Sequence, residues 1–235
     1  MNKKIILFDL DGTLLPMDED VFTKYYFKML AQKVAPLGYA PDKLVEAIWL
    51  GVHAMATNDG SCTNEDCFWK CFSDLFGKHV YEHIPVFESF YQNEFQAAKA
   101  VCGRNEKAIA LVHSLKEKGY RIALATNPVF PAIATYSRIA WAGLKPDDFE
   151  YITTYENSCH GKPNPDYYQE VLDKLQVAAE DCIMIGNNVE EDMIAETLGM
   201  DVFLLTDCLI NRKQKETDQY PQGDFDSLTE YLLGK

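Results

Sequence analysis

Two carboxylates lie two residues apart near the start of the chain, in the segment Asp9-Leu10-Asp11-Gly12-Thr13. At the end of a strand both carboxylates could face one ligand, and Gly12 permits a sharp turn with an exposed N–H. Two carboxylates can bind Mg²⁺ together with phosphate oxygens and water, or one of them can act as a nucleophile that forms an aspartyl-phosphate. Aspartate before glycine is also a common turn former, so this motif alone leaves a structural explanation open.

Short apolar runs and periodic segments indicate the elements that would position these carboxylates. From about residue 99 strands and helices alternate, which predicts a parallel sheet covered by helices on both faces. The predicted strands cover 4–8, 121–125, 151–153, 182–186 and 201–205, and the predicted helices of this part cover 104–118, 129–142, 164–176, 189–198 and 225–233.

The part of the chain between the first strand and residue 99 has a different composition, rich in aromatic residues, alanine and methionine. Its apolar residues recur at spacings of three and four, which is typical of helices. We therefore predict one α/β domain, residues 1–15 and 99–235, interrupted by a helical insertion of residues 16–98. The four helices predicted in the insertion cover 19–35, 41–56, 64–77 and 84–99.

Further polar residues follow the other predicted strands. Thr126 and Asn127 follow the strand 121–125, and Lys162 precedes the helix 164–176. In an open parallel sheet, ligands bind beyond the carboxyl ends of the strands. We therefore expect acids, a hydroxyl, amides and a lysine to meet at one edge of the sheet.

Composition excludes several classes of protein. With 22 basic and 36 acidic residues the formal net charge is −14, which disfavours binding to nucleic acids and to anionic membranes. Seven irregularly spaced cysteines favour a reduced, cytoplasmic protein over a disulfide scaffold. No apolar stretch approaches the ~20 residues that span a bilayer.

Four motifs in chain order resemble those of the haloacid dehalogenase-like (HAD) superfamily. The first is Phe8-Asp9-Leu10-Asp11-Gly12-Thr13-Leu14, and the second is Ala125-Thr126-Asn127. The third is Gly161-Lys162-Pro163, and the fourth is Ile185-Gly186-Asn187-Asn188-Val189-Glu190-Glu191-Asp192-Met193. The resemblance implies a Rossmann-like parallel sheet core with an inserted all-helical cap domain.

The resemblance also implies roles for single residues. Asp9 would be the nucleophile, and Asp11 would protonate the leaving oxygen and then help to activate water. Thr126, with the backbone N–H of Asn127 and the exposed N–H of Gly12, would bind phosphoryl oxygens. Lys162 would neutralise the nucleophile and the phosphate.

Mg²⁺ is the cofactor that the resemblance implies. Asp9, the backbone carbonyl of Asp11 and the fourth motif would hold it, with Asn188 and Asp192 as the residues of that motif. The family usually has two acids there, and in this chain the first is an amide, Asn187 or Asn188 depending on the spacing. We favour Asn188 for this position and expect Asp192 to orient Lys162 or a metal-bound water. An amide oxygen can bind Mg²⁺ but brings no negative charge.

Substrate selection is assigned by the resemblance to the helical cap. Asn58 and Asp59, in the polar segment 56–64, are candidate contacts for the leaving group, and an ordinary turn between helices is the alternative. The sequence therefore predicts a Mg²⁺-dependent phosphatase acting on a small soluble phosphate monoester. A phosphomutase and a phosphate-binding domain without turnover remain alternatives, whereas a dehalogenase is disfavoured because Asp11 is present. The oligomeric state and the physiological substrate stay open.

Overall fold

The computed structural model describes residues 5–234 of the chain. Its sheet has six parallel strands in the order β3-β2-β1-β4-β5-β6. The strands predicted from the sequence are confirmed, apart from Lys4, which lies outside the described residues. The strands are β1 (Ile5–Phe8), β2 (Arg121–Leu124), β3 (Tyr151–Ile152), β4 (Cys182–Gly186), β5 (Asp201–Leu205) and β6 (Gln222–Gly223).

The described part of the chain contains eight α-helices, and most of them begin and end close to the predicted bounds. Short 3₁₀ segments lie between them, the longest being Glu94–Val101 and Met193–Leu198. None of the helices in residues 5–234 is long and apolar enough to cross a bilayer. The helices are α1 (Glu19–Val34), α2 (Pro41–Ala56), α3 (Asn64–Phe76), α4 (Val80–Gln92), α5 (Glu106–Glu117), α6 (Ala132–Trp141), α7 (Pro165–Leu175) and α8 (Phe225–Leu233).

Strand β1 lies at the centre of the sheet and brings the predicted motifs to one level. Phe8, its last residue, is in register with Leu124 of β2 on one side and with Ile185 of β4 on the other. The chain order of the strands reverses at β1, which is where open parallel sheets form a crevice for ligands. The residues that follow β1, β2 and β4 therefore lie side by side.

The sheet separates two apolar cores. Ile6 and Phe8 of β1 pack into a core shared with α5, α8 and the helices α1–α4. Ile5 and Leu7 face the opposite way, into a core shared with α7 and the 3₁₀ segment Met193–Leu198. This alternation follows from the two-residue period of a strand and explains why the buried strands are apolar along their whole length.

The helices α1–α4 all lie between β1 and α5, and the chain enters and leaves this helical segment at adjacent points. Met17 forms an isolated antiparallel bridge with Cys102, and the N–H of Gly103 donates to the carbonyl of Pro16 at 2.6 Å. Tyr26 of α1 packs edge-on against Phe95 and Phe130, with ring centroids 6.1 and 5.4 Å away. Aromatic contacts therefore join the helical segment to the loop that precedes α6.

Three local predictions differ from the structure. The helix predicted over 84–99 is α4, which starts at Val80 and contains Pro85, followed by the 3₁₀ segment Glu94–Val101. Pro85 is tolerated because it is exposed and removes only the bond to the carbonyl of Tyr81, which is also on the surface.

The other two differences concern β6 and the segment 189–198. Strand β6 has two residues, Gln222 and Gly223, and neither has the β-branched or aromatic character that identifies a strand. The segment 189–198 begins as a turn and becomes 3₁₀ at Met193. The cause is Asn188, whose side-chain oxygen accepts bonds from the N–H groups of Glu190 and Glu191 and competes with helical bonding.

Candidate active site

Asp9 follows β1 directly and is held in place from both sides. Its N–H donates to the carbonyl of Ile185, which continues the pairing of β1 with β4. One carboxylate oxygen accepts from Lys162 Nζ at 2.9 Å, and the other accepts from the Thr13 hydroxyl at 3.2 Å. Asp9 is buried, so these two donors fix the direction in which its carboxylate points.

The turn after Asp9 depends on Gly12. Its φ is +79°, and a Cβ at this position would lie 2.3 Å from Nδ2 of Asn187. Only glycine adopts this conformation without strain and allows the asparagine to approach so closely. The turn of the first motif is therefore packed directly against the fourth motif.

Lys162 is buried between two carboxylates. Its Nζ lies 2.9 Å from Asp9 Oδ1 and 2.6 Å from Asp192 Oδ1. Burial alone would lower the pKa of Lys162, but the charges of Asp192 and Asp9 outweigh it and hold the pKa well above its ordinary value. The lysine is therefore a permanent cation at the centre of the site. The second oxygen of Asp192 accepts from the N–H of Asn188 at 2.9 Å, so Asp192 is fully engaged in positioning Lys162.

Asp11 is paired with a residue that the sequence analysis does not identify. The guanidinium of Arg138, from α6, donates to Asp11 Oδ2 and lies 4.4 Å from the centroid of the Phe130 ring. Burial raises the pKa of Asp11 to about 6, against the opposing effect of Arg138. The other oxygen, Oδ1, is buried and accepts no hydrogen bond. The available signal was that Arg138 is the only charged residue of the predicted helix 129–142.

Thr126 and Asn127 follow β2, as predicted, and lie at the same edge of the sheet. Thr126 is buried, and its carbonyl accepts from the hydroxyls of Thr153 and Tyr167 at 2.7 and 2.9 Å. Asn127 donates to Glu191 Oε2 at 3.2 Å, while its own Oδ1 is buried without a partner. The Thr126 carbonyl and the Asn127 amide nitrogen thus anchor the two residues. Among the described hydrogen bonds within the protein, none involves the Thr126 hydroxyl or Asn127 Oδ1.

Of the two asparagines of the fourth motif, the structure brings Asn187 towards Asp9. Asn187 is buried, accepts from the Thr13 hydroxyl at 2.9 Å and donates to the carbonyl of Cys208 at 2.6 Å. Asn188, which the sequence analysis favours, instead uses its side-chain oxygen for the turn at Glu190 and Glu191.

Two further acids border the site, and both have raised pKa values. Burial raises the pKa of Glu191 to about 7, against the opposing effect of Lys162. Burial also raises the pKa of Glu19, at the start of α1, to about 7, and the charges of Asp9 and Asp11 add to this shift. Carboxylates thus outnumber the two buried cations, Lys162 and Arg138, and the site favours binding of an additional cation.

These acids and unpartnered oxygens suit a hard cation such as Mg²⁺, which needs few protein ligands and takes the rest from water and phosphate. Asp11 Oδ1 and Asn127 Oδ1 are buried acceptors without donors. In residues 5–234 no three His, Cys, Asp or Glu side chains form a preassembled metal centre. The residues present therefore fit a partly hydrated Mg²⁺ and do not form an all-protein cage.

Asn58 and Asp59 do not reach this site. Asn58 is buried and donates to the carbonyl of Cys62 and to Asn64 Oδ1, both at 2.9 Å. Asp59 is exposed and caps its own turn by accepting from the N–H of Ser61. Their role is local, because a turn rich in Asn, Asp and Gly satisfies its own polar groups. Asn58 supports Asn64, whose amide donates to the carbonyls of Pro128 and His160 and so fastens α3 to the loops around the sheet.

A cavity of about 910 Å³ lies between the helical segment and the edge of the sheet and reaches Asp11 and Asn127. Aromatic side chains from the helices form much of its wall. The carboxyl ends of the strands therefore open into a cleft beneath the helices, and this cleft is itself open to solvent at its rim. The principal aromatic residues that line it are Phe22, Tyr26, Trp49, Trp69, Tyr91 and Phe130.

A family model described as haloacid dehalogenase-like hydrolase matches residues 3–195 of the chain. The curated relatives include a phosphoglycolate phosphatase of Colwellia psychrerythraea, 25% identical over 232 residues that cover 98% of this chain and 96% of the relative. They also include pyrophosphatase PpaX of Bacillus anthracis, 22% identical over 234 residues that cover 99% of this chain and 96% of the relative.

Solved structures show the same fold. A HAD phosphatase from Thermococcus onnurineus superposes with a TM-score of 0.59 at 20% identity, covering 99% of both chains. The HAD-hydrolase YfnB from Bacillus subtilis, solved bound to magnesium, superposes with a TM-score of 0.60 at 19% identity, also covering 99% of both chains.

Proposed function

Because the chain belongs to the haloacid dehalogenase-like hydrolases, we propose that it is a Mg²⁺-dependent phosphatase that hydrolyses a small soluble phosphate monoester through an aspartyl-phosphate on Asp9. The observation that carries the proposal is the fixed carboxylate of Asp9, held by Lys162 and Thr13 beside a second acid, Asp11. A domain that only binds phosphate has no need of a positioned nucleophile with an adjacent acid.

In the first step a carboxylate oxygen of Asp9 attacks phosphorus in line with the ester oxygen. The P–O bond to the alcohol breaks, and protonated Asp11 gives its proton to the leaving oxygen. In the second step Asp11, now a carboxylate, takes a proton from a water that attacks the same phosphorus. Phosphate leaves, and Asp9 and protonated Asp11 are restored. A pKa of about 6 allows Asp11 to take both forms near neutral pH.

The other polar residues hold the phosphoryl group during these steps. The Thr126 hydroxyl and the backbone N–H of Asn127 would bind its oxygens. The N–H of Gly12, expected from the sequence to be exposed for this role, instead donates to the carbonyl of Leu15 at 2.8 Å and closes the turn. Lys162 offsets the charge that gathers on Asp9 and on the phosphate, in a buried setting where a positioned cation is effective.

Asp9, the backbone carbonyl of Asp11 and the amide oxygen of Asn187 are the groups that would hold Mg²⁺. Bound there, the ion would neutralise phosphate charge and orient the ester for attack. We assign Asn187 in place of Asn188 because only Asn187 lies against Thr13 and Gly12. Asp192 would act through Lys162, because both of its oxygens already accept hydrogen bonds.

The helical insertion, residues 16–98, would act as the cap of the core formed by residues 1–15 and 99–235. The aromatic cavity beneath it is the space for the alcohol part of the substrate. A small-molecule phosphate ester is therefore the partner that we propose, and the net charge of −14 disfavours a nucleic acid. The cytoplasmic location that the cysteine content favours is part of this proposal.

Hydrolysis of p-nitrophenyl phosphate tests the proposal, measured over a Mg²⁺ titration with a chelator control. We expect Mg²⁺-dependent release of phosphate, its loss in Asp9→Asn, and an acid-stable phosphoryl group that the same substitution abolishes. Asp42→Asn, an exposed acid at the start of α2, is the matched control and should hydrolyse the ester like the parent protein. Turnover that survives Asp9→Asn would show that the nucleophile is assigned wrongly.

The two alternatives give different products in the same assay. A phosphomutase would return the phosphoryl group to its substrate, so that an isomerised sugar phosphate would appear in place of free phosphate. A domain that binds phosphate without turnover would unfold at a higher temperature in the presence of phosphate. It would release no phosphate from the ester.

A further inference from the structure

Resting on the proposed function, we propose that the alcohol released from the substrate is bulky and largely apolar and carries a positive charge, as an amine or a quaternary ammonium group. The cavity beside Asp11 supports this assignment through its size, its aromatic wall and the sign of the charges around it. Each of these features disfavours a small or acidic alcohol.

The cavity is large for a small leaving group. Its volume of about 910 Å³ lies near the upper end of the ~300–1,000 Å³ found for small-molecule sites. A two-carbon acid or a second phosphate would leave most of this space to water. The aromatic wall would then remain wet, and its burial would contribute nothing to binding.

The carboxylates on the cavity wall are in excess. Glu65 of α3, Glu88 of α4 and Glu156 all line it. None of the three forms an ion pair with another described residue. Glu156 accepts two bonds from the N–H of Ala132 at the start of α6, which offsets part of its charge. The Tyr155 hydroxyl donates to Glu65, and Glu88 is exposed to solvent. Neither carboxylate has a cation as its partner, and a cation in the ligand would supply one.

The cations near the cavity are already engaged. Arg212 and Lys213 line its rim, with 63% and 73% of their side chains exposed, and each lies within 4 Å of an acid that also lines the cavity. Arg138 is buried and paired with Asp11. An acidic leaving group would therefore enter a space in which the described lining residues offer carboxylates without a cationic partner but no free cation.

The aromatic rings provide a second means of binding a cation. Trp49 lines the cavity with 52% of its surface exposed, and the hydroxyls of Tyr26 and Tyr91 lie 2.9 Å apart on the same wall. Cations bind to the faces of such rings, most strongly where water is excluded. Trp69 is buried in this wall beside Tyr155, so its ring adds to the aromatic lining.

Three phosphate esters of 2-phenylethanol test the inference. They carry, at the para position of the ring, a trimethylammoniomethyl group, its neutral isostere neopentyl, or a carboxymethyl group. These substituents are remote from the ester, so its intrinsic reactivity is nearly constant. We expect kcat/KM to fall about tenfold from the cationic to the neutral ester, and again to the anionic ester.

Two variants assign the preference to the cavity. Glu65→Gln and Glu88→Gln should each lower the ratio of kcat/KM for the cationic ester over the neutral ester by about threefold or more. Glu82→Gln, an exposed acid on α4 outside the cavity, should leave this ratio unchanged. Equal rates for the three esters, or a preference for the anionic one, would overturn the inference while p-nitrophenyl phosphate hydrolysis still upheld the proposed function.

If no ester is hydrolysed, binding of the free alcohols tests the preference of the cavity for a cation independently of the proposed phosphatase activity. Trp49 and Trp69 line the cavity, so quenching of tryptophan fluorescence can report its occupation. A Kd for the cationic alcohol about tenfold below that of the neutral isostere would support the inference on its own. Equal Kd values would overturn it, whatever the fate of the proposed function.

Discussion

The guanidinium of Arg138 is paired with the carboxylate of Asp11, and the two residues come from α6 and from the turn after β1. Arg138 has 1% of its side chain exposed, and Asp11 is its only acidic partner among the described residues. The ring of Phe130, the Thr135 hydroxyl and the Ala134 carbonyl complete its surroundings. Burial and Arg138 act on Asp11 in opposite directions. The arginine therefore sets the proton affinity of the acid to which we assign both proton transfers.

Replacing Arg138 by methionine should raise the pKa of Asp11 above its present value of about 6, because the charge that stabilises the carboxylate is removed. Carboxyl ¹³C titration by NMR measures this pKa directly. In the proposed mechanism Asp11 must start protonated, so the alkaline limb of the kcat/KM profile should move to higher pH. Arg121→Met, a surface arginine paired with Glu150, is the control. An unmoved titration of Asp11 would contradict this account.

Replacing Lys162 by methionine should lower the free energy of unfolding by about 3 kcal/mol, because Asp9 and Asp192 would remain buried without their cation. Urea unfolding measures the loss. The double variant with Asp192→Asn should recover part of the lost stability, because one of the two buried carboxylates left without a cation is then removed. If the double variant is as unstable as the sum of the single ones, the three residues do not act as a unit.

Glu191 should make the protein less stable as the pH rises. Its pKa is about 7 in the folded state against 4.5 for the free side chain, so the folded state binds the proton more tightly. This stabilisation is complete below pH 4.5 and is lost as the pH rises to 7 and beyond. Glu191→Gln should therefore gain about 3 kcal/mol over the parent protein between acidic and slightly alkaline pH.

Chemical unfolding at pH 4.5 and pH 8, with a chelator present, checks this difference. Glu196→Gln is the control, because Glu196 is exposed on the same segment. A gain for Glu191→Gln that does not change with pH would show that the carboxylate keeps an ordinary pKa.

Asn187→Asp should have opposite effects with and without Mg²⁺. Without the ion, it loses the hydrogen bond to the Cys208 carbonyl and adds a buried charge near Asp9, which should destabilise the fold by about 2 kcal/mol. With the ion, the extra charge should tighten binding about tenfold or more. Thermal unfolding over a Mg²⁺ titration measures both effects. Asn188→Asp should tighten binding much less, and an equal gain there would overturn the choice of Asn187.

Most of the sheet and the placement of its polar residues could be predicted from the sequence, because both depend on local patterns. Strand β1 is apolar along its length and ends at Asp9, and parallel pairing brings the ends of β1, β2 and β4 to one level. Thr126 and Lys162 therefore lie at the predicted edge without any knowledge of loop geometry.

The rest depends on contacts between segments distant in sequence. The pairing of Arg138 with Asp11 joins residues 127 positions apart, and no local pattern encodes it. Asn58 is a polar residue in a polar loop, as many ligand contacts are. Its side chain nevertheless points away from the site because it donates hydrogen bonds to Asn64 Oδ1 and to the carbonyl of Cys62. Asn187 and Asn188 differ by one position, and only the strand register shows which of them lies beside Gly12.

The β-bridge between Met17 and Cys102 has a consequence for the evolution of such a protein. Because both crossings of the chain lie side by side, everything between them can be lengthened, shortened or exchanged without shifting the register of a single strand. Substitutions among the helices could therefore reshape the cavity while Asp9 and Asp11 keep their positions at the end of β1.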